Sequence, residues 1–160
     1  MQKVVQLALI VLAGALASGP ADAGAGPPGH SHAGFSAGAP GNPKKPARTV
    51  EVIMREADGK MLFVPNRIEV KRGEQIRFTI RNNGELPHEF MLASIADNDK
   101  HAELMKKYPD MEHDDPNGKS LEPGKSAEIL WRFTKRGEFE FACLIPGHRE
   151  AGMHGRIGVK

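Results

Sequence analysis

The sequence predicts an all-β domain, a sandwich of two sheets made of short strands with one short helical insertion. From Arg48 onward, apolar and polar residues alternate with a period of two, as they do along strands with one buried face. Clusters of Gly, Pro, Asn and Asp separate these runs and are typical of tight turns. Strands joined by crossover helices would need long helical segments between them, and the alternation leaves no room for those.

The first strands are predicted between Val50 and Ile80. Asp58-Gly59 supplies a turn, and Pro65 interrupts the stretch that follows, which predicts an edge strand or a bend. Since side chains on a strand alternate between its two faces, one parity of each run should face the core. These core-facing residues are Val50, Val52, Met54, Ile68, Val70, Ile76, Phe78 and Ile80.

The strands of the second half follow the same rule. Their core-facing residues are Phe90, Leu92, Ala127, Ile129, Trp131, Phe133, Phe139, Phe141, Ile157 and Val159. His88 shares the parity of Phe90, Cys143 that of Phe141, and Met153 that of Ile157. Strand alternation therefore turns His88, Cys143 and Met153 toward the interior, whereas His154 points outward.

An insertion at residues 96–120 breaks the strand pattern. Asp97 or Asn98 is expected to cap a short helix from about Asp99 to Lys107, and residues 110–118 are expected to form an acidic loop. The insertion carries His101, Met105, Met111 and His113. Methionine prefers Cu(I), and histidine with carboxylate prefers Cu(II), so this group can hold additional copper. The alternative is a solvated helix with a packing methionine.

The N-terminus predicts export. In residues 1–23, Lys3 precedes an apolar run and an Ala-x-Ala cleavage site ends at Ala23, as in a secretory signal peptide. A membrane anchor is the alternative, but a span needs about 20 apolar residues and this run is shorter.

Residues 24–47 are expected to form a flexible tail, because their Gly, Pro and Ser cannot bury enough surface; the tail contains His30 and His32. Residues 48–160 form the predicted domain, which is expected to be exported.

Composition excludes several classes of partner. The chain of 160 residues has 22 basic and 20 acidic side chains and a net charge of +2, so neither nucleic acid nor an anionic membrane is an expected ligand. No membrane span is expected after cleavage, and a monomer is expected.

The chain has one cysteine, which cannot form an internal disulfide. In an exported protein, such a cysteine suggests an intermolecular bridge, a reactive thiol or a metal ligand.

A loop near the C-terminus favours the metal. Cys143, His148 and Met153 follow one another in a Cys-x4-His-x4-Met pattern, and His88 offers a second imidazole upstream. One thiolate, two imidazoles and a weak thioether form the ligand set of a mononuclear electron-transfer copper centre. A buried, hydrogen-bonded histidine is the alternative interpretation of His88, and it does not explain the loop.

This pattern resembles that of the cupredoxins. The resemblance covers residues 50–160, apart from the insertion, and implies a Greek-key β-sandwich or barrel with one type 1 copper centre that alternates between Cu(I) and Cu(II). It further implies that Met153 is a weak axial ligand and that His148, with Leu144, Ile145 and Pro146 around it, is the electron port. Asn83, or equally Asn82, would tie the two ligand loops together. The leader, the histidine-bearing tail and the Gly-Met-His-Gly ending are most similar to small periplasmic cupredoxins associated with bacterial copper tolerance.

The resemblance leaves three functions open. The first is copper tolerance or homeostasis by binding copper, with oxidation of Cu(I) to Cu(II) as an accompanying activity. The second is a diffusible electron carrier between respiratory partners, with a redox partner protein that the sequence does not identify. The third is a binding module with a vestigial metal site. The first is favoured because a carrier does not need the accessory candidates His30, His32, His101, Met105, Met111, His113 and His154.

Overall fold

The computed structural model describes residues 34–109, 111 and 113–160. In chain order, its elements are β1 (Ala39–Pro40), β2 (Arg48–Ala57), β3 (Lys60–Val64), β4 (Arg67–Val70), β5 (Gln75–Asn82), β6 (His88–Ala93), α1 (Ile95–Lys107), β7 (Gly118–Leu121), β8 (Ser126–Arg132), β9 (Gly137–Ala142) and β10 (His154–Val159). The predicted signal peptide, its cleavage after Ala23, and the tail residues His30 and His32 lie outside the described residues.

The strands form two five-stranded sheets, which confirms the predicted all-β class. One sheet has the order β1-β8-β5-β2-β3 and the other the order β4-β10-β9-β6-β7. β3 is an edge strand, as Pro65 predicted, and after this proline the chain crosses to β4 in the other sheet. Most neighbours are antiparallel, but β2 pairs parallel with β5 and β4 pairs parallel with β10.

The core lies between the two sheets and is rich in aromatic rings. Phe90 stacks on Phe141 with ring centroids 5.2 Å apart, and Phe63 meets both rings edge-on. Val52, Met54 and the inward row of β5 are fully buried, as their alternation predicts. Close packing of this kind makes the strand ends a rigid frame for side chains that project beyond them.

The last part of the predicted tail packs on the sandwich. Ala39 and Pro40 pair with Arg132 and Trp131 of β8 as a short edge strand. The Trp131 indole donates a hydrogen bond to the carbonyl oxygen of fully buried Ala37. The domain therefore begins before Arg48. Composition suggested a tail because its few apolar residues gave no periodic signal, but Phe35 and Ala37 pack against Trp131 in the core.

The insertion also differs from the prediction in its boundaries. Helix α1 begins at Ile95 rather than near Asp99, because the Ser94 side chain caps it by accepting a hydrogen bond from the Asp97 backbone amide. The helix ends at Lys107 as predicted. The end of the insertion is β7, which pairs with β6 and was not predicted. Across the described part of the chain, no helix is long and apolar enough to span a membrane.

Candidate metal centre

Three of the four predicted ligands lie at strand ends in the sheet β4-β10-β9-β6-β7. His88 is the first residue of β6, Cys143 follows β9 and Met153 precedes β10. β9 and β10 are antiparallel neighbours, with His154 opposite Ala142, so their pairing places Cys143 beside Met153. The Cys143 amide donates to the Met153 carbonyl at 3.0 Å. The sheet register therefore fixes these positions independently of any ion.

The loop between Cys143 and Met153 returns His148 to the same place. Gly147 and Gly152 adopt positive φ angles of 89° and 105°, a region that glycine enters at little cost. The His148 amide donates to the Ile145 carbonyl, and the Met153 amide donates to the His148 carbonyl, both at 3.0 Å. These turns close the loop tightly enough for His148 to face Cys143.

The donor atoms converge. His148 Nδ1 lies 3.2 Å from His88 Nδ1 and 3.3 Å from Cys143 Sγ. The ligand atoms of these three residues all lie within 4.8 Å of one another. His88, Cys143 and Met153 are fully buried, while His148 is partly exposed. A thiol and two imidazoles placed in this way fit a single soft or borderline metal ion.

Burial sets the protonation of the metal-free donors. It raises the pKa of the Cys143 thiol to about 12, and the nearby Glu89 carboxylate adds to the effect. Burial lowers the pKa of His88 and of His148 below the ordinary value for an imidazole. Since metals bind thiolate and neutral imidazole, the histidines are ready for a metal at neutral pH, whereas Cys143 must release a proton.

Glu89 connects the segment around His88 to the loop that begins at Cys143. The resemblance assigned this role to Asn83 or Asn82. Its backbone amide donates to Cys143 Sγ at 3.3 Å, and its carboxylate Oε2 accepts from the Leu144 amide at 3.2 Å. Asn82 instead donates to the carbonyls of Leu86 and Leu121, and Asn83 is exposed. The sequence contained a signal for this role, because Glu89 is the one carboxylate in a strand of mainly apolar residues.

Glu56 is a second contact that the sequence did not reveal. Its Oε1 lies 2.7 Å from His88 Nε2, the ring nitrogen that faces away from Cys143. Hydrogen bonds hold the pKa of Glu56 below its ordinary value despite the opposing effect of partial burial. The two residues are 32 positions apart on strands of different sheets. Only the folded arrangement of the sheets identifies the pair.

A salt bridge anchors the ligand loop to the insertion. Arg149 Nη2 lies 2.8 Å from Glu140 Oε2, and its Nη1 lies 2.6 Å from Asp99 Oδ1 on α1. Asn98 of α1 also donates to the fully buried Glu140 carboxylate. Because a buried carboxylate needs such partners, helix and loop are held together next to His148.

Two of the accessory candidates lie together. His101 Nε2 is 2.9 Å from His113 Nε2, and the buried Glu89 Oε1 lies 3.5 Å from the same His113 atom. His113 Nδ1 lies 3.4 Å from Asp115 Oδ2. His101 and His113 thus form a second histidine pair with carboxylates beside it.

The other accessory candidates differ in their surroundings. Met105 is almost fully buried and packs with Met91, Ala142 and Leu144, with Met111 at the edge of this cluster. Its position matches the packing methionine of the alternative interpretation. His154 is exposed at the start of β10, and neither histidine pair includes it.

Comparison with known proteins identifies relatives of the same architecture. Residues 50–160 match the family model of copper binding proteins of the plastocyanin/azurin family. The chain is 47% identical to the copper-resistant cuproprotein CopI of Rubrivivax gelatinosus, over 82% of each chain. It is 38% identical to CopI of Pseudomonas aeruginosa, over 79% of this chain and 84% of that protein.

Solved structures show the same fold. The auracyanin of Roseiflexus castenholzii superposes with a TM-score of 0.60 at 22% identity and covers 71% of this chain and 98% of its own. Auracyanin B gives a TM-score of 0.60 at 23% identity, over 79% of this chain and 98% of its own. These similarities support the two-sheet architecture.

Proposed function

The chain belongs to the plastocyanin/azurin family of copper-binding proteins, and we propose that it is a periplasmic copper-tolerance protein with one type 1 centre formed by His88, Cys143, His148 and Met153. The convergence of the first three donor groups within 4.8 Å carries this proposal. The copper-resistant CopI relatives support a role in copper tolerance.

Each ligand has a distinct task at this centre. Cys143 would hold copper through its thiolate, and His88 and His148 would hold it through their imidazole nitrogens. Met153 would add a weak thioether contact that tunes the reduction potential, together with the hydrogen bond from the Glu89 amide to Cys143 Sγ. Sheet pairing and backbone hydrogen bonds position Cys143, His148 and Met153, so little would have to move when the oxidation state changes.

Copper handling also involves the insertion. The second histidine pair offers borderline nitrogen donors next to carboxylate oxygen, a set that suits Cu(II). Met111, at the edge of the cluster in which Met105 is packed, brings a thioether that suits Cu(I). Copper at the main centre supplies a one-electron couple able to take the electron released when a Cu(I) substrate ion becomes Cu(II). The insertion would bind the substrate ion, and its electron would pass to copper held by His88, Cys143, His148 and Met153, so that one Cu(II) is reduced for each Cu(I) oxidised.

A diffusible electron carrier is the second candidate. The observation in its favour is that His148 is partly exposed, whereas His88, Cys143 and Met153 are fully buried. Electrons can therefore enter and leave through one imidazole edge, toward a redox partner. Deletion in cells separates the two functions: copper sensitivity supports copper handling, whereas normal copper resistance with impaired respiration supports the carrier.

The biochemical test is copper loading of the purified protein. One equivalent of Cu(II) should produce an intense thiolate-to-copper absorption, and further Cu(II) should give a second signal in electron paramagnetic resonance. Cu(I) added without oxygen to the singly loaded protein should bleach the absorption and leave Cu(II) at the second site. Protein that stays colourless would contradict the main centre. Colour that persists after Cu(I) is added would contradict the oxidation activity.

Export is tested separately. Sequencing of the protein recovered from the periplasm should give an N-terminus close to residue 24. An intact leader, or protein confined to the cytoplasm, would contradict this part of the proposal.

A further inference from the structure

The carboxylate of Glu56 lies in a built site behind His88. It accepts hydrogen bonds from the backbone amides of Glu85 at 2.9 Å and Leu86 at 3.3 Å, and Oε1 also lies 2.7 Å from His88 Nε2. The segment that carries these two amides leads directly into His88. One carboxylate therefore holds both the ring of His88 and the backbone that precedes it.

Glycine makes room for this carboxylate. A Cβ atom added at Gly84 would lie 2.5 Å from Glu56 Oε2 and 2.7 Å from Oε1, closer than side-chain atoms approach one another. The φ angle of Gly84 is not in the positive range, so its lack of a side chain matters here for space. The loop before His88 is thus shaped around the end of Glu56.

The contact also determines which ring nitrogen of His88 carries the proton. A carboxylate accepts hydrogen bonds only, so Nε2 must be the donor of the pair. A neutral imidazole with its proton on Nε2 has its lone pair on Nδ1, the atom 3.2 Å from His148 Nδ1 and on the side of Cys143. Glu56 thereby presents His88 to the metal in its ligating form.

We propose that Glu56 is a positioning residue for the metal centre: it fixes His88 in the Nε2–H tautomer and, through its negative charge, favours Cu(II) over Cu(I). The proposal rests on the proposed copper function and deepens it. A carboxylate bonded to the outer nitrogen of a ligating histidine orients the ring and makes it a more basic ligand. A more basic imidazole with a carboxylate beside it stabilises Cu(II), the ion of higher charge, more than Cu(I).

The test compares Glu56→Gln with a matched control, Glu85→Gln. Both changes remove one negative charge from the same side of the molecule, but the exposed Glu85 contributes only its backbone amide to this site. We expect Glu56→Gln to weaken Cu(II) binding roughly 10- to 100-fold. Cu(I) binding should weaken less, and each tenfold difference raises the reduction potential by about 59 mV. Glu85→Gln should change Cu(II) affinity by less than about twofold.

Gly84→Ala provides a second variant that keeps every charge. Its new methyl group should push the Glu56 carboxylate away from His88, at small cost to the fold because the displaced atoms end a flexible side chain. The potential should rise as it does in Glu56→Gln, by a smaller amount. Equal potentials in Glu56→Gln and Glu85→Gln would overturn the proposal.

Nitrogen NMR of the metal-free protein separates this proposal from the copper function. Long-range proton–nitrogen correlations should show His88 with its proton on Nε2 in the wild type, whether or not the protein later binds copper. A proton on Nδ1 would overturn the role of Glu56. Failure to bind copper in a protein with the expected tautomer would instead overturn the proposed function.

Discussion

The two histidine pairs of this protein have similar geometry and different surroundings. In the first pair, His88 and His148 approach within 3.2 Å beside the buried thiol of Cys143. In the second, His101 and His113 approach within 2.9 Å beside the carboxylates of Glu89 and Asp115. Since softness decides which ion a site prefers, the first pair suits a copper redox couple and the second suits a divalent ion.

Glu89 lies between the two pairs. Its amide contacts Cys143 Sγ, while its carboxylate lies 3.5 Å from His113. Burial raises the pKa of this carboxyl, and the neighbouring His113 opposes that effect. Buried Glu89 therefore contacts both histidine-containing groups, the first through Cys143 and the second through His113.

Cys143→Ser should have the largest effect, because it removes the soft anionic donor that lies beside His88 and His148. We expect complete loss of the thiolate-to-copper absorption, while Cu(II) bound at the second pair keeps its resonance signal. Absorption spectra and paramagnetic resonance on the same sample distinguish the two. Retained intense colour in the serine variant would contradict the assignment of Cys143.

His113→Ala should lower the copper stoichiometry by one ion per chain and leave the thiolate absorption in place. The reason is that His113 provides a ring nitrogen to the second pair alone. Metal analysis after gel filtration measures the stoichiometry, and His154→Ala is a suitable control because this histidine is exposed and belongs to neither pair. If His113→Ala retains as much copper as the control, the second pair is not a copper site.

Met153→Leu should alter the first site less than loss of the thiolate does. We expect the variant to keep copper but to change colour and reduction potential, since a weak axial ligand tunes the centre without holding it. Leucine fills a volume similar to that of methionine, so the core should tolerate it at a cost below about 1.5 kcal/mol. Unchanged colour and potential would exclude Met153 as a ligand.

The sequence predicted which strand residues point inward and missed the contacts that surround His88. Period-two alternation placed His88, Cys143 and Met153 on inward positions, and all three are buried. Glu56 escaped prediction because its contact with His88 depends on the relation between two sheets, which local patterns do not encode. Strand β1 escaped because two residues are too short a run to show a period.

The smallest expected effect concerns pH. Burial lowers the pKa of His148, so the unfolded chain binds a proton at higher pH than the folded chain does. Its contribution to stability is therefore present above an ordinary histidine pKa of about 6.5 and is lost as the pH falls through that value. One such group changes the free energy of unfolding by at most about 1.4 kcal/mol per pH unit, and the partial exposure of His148 reduces this change.

Urea unfolding of the metal-free protein at about pH 7.5 and 5.5 measures the effect. The free energy of unfolding should fall less between these pH values in His148→Gln than in the wild type or in His154→Gln. Equal losses in all three proteins would mean that burial of His148 does not oppose its protonation.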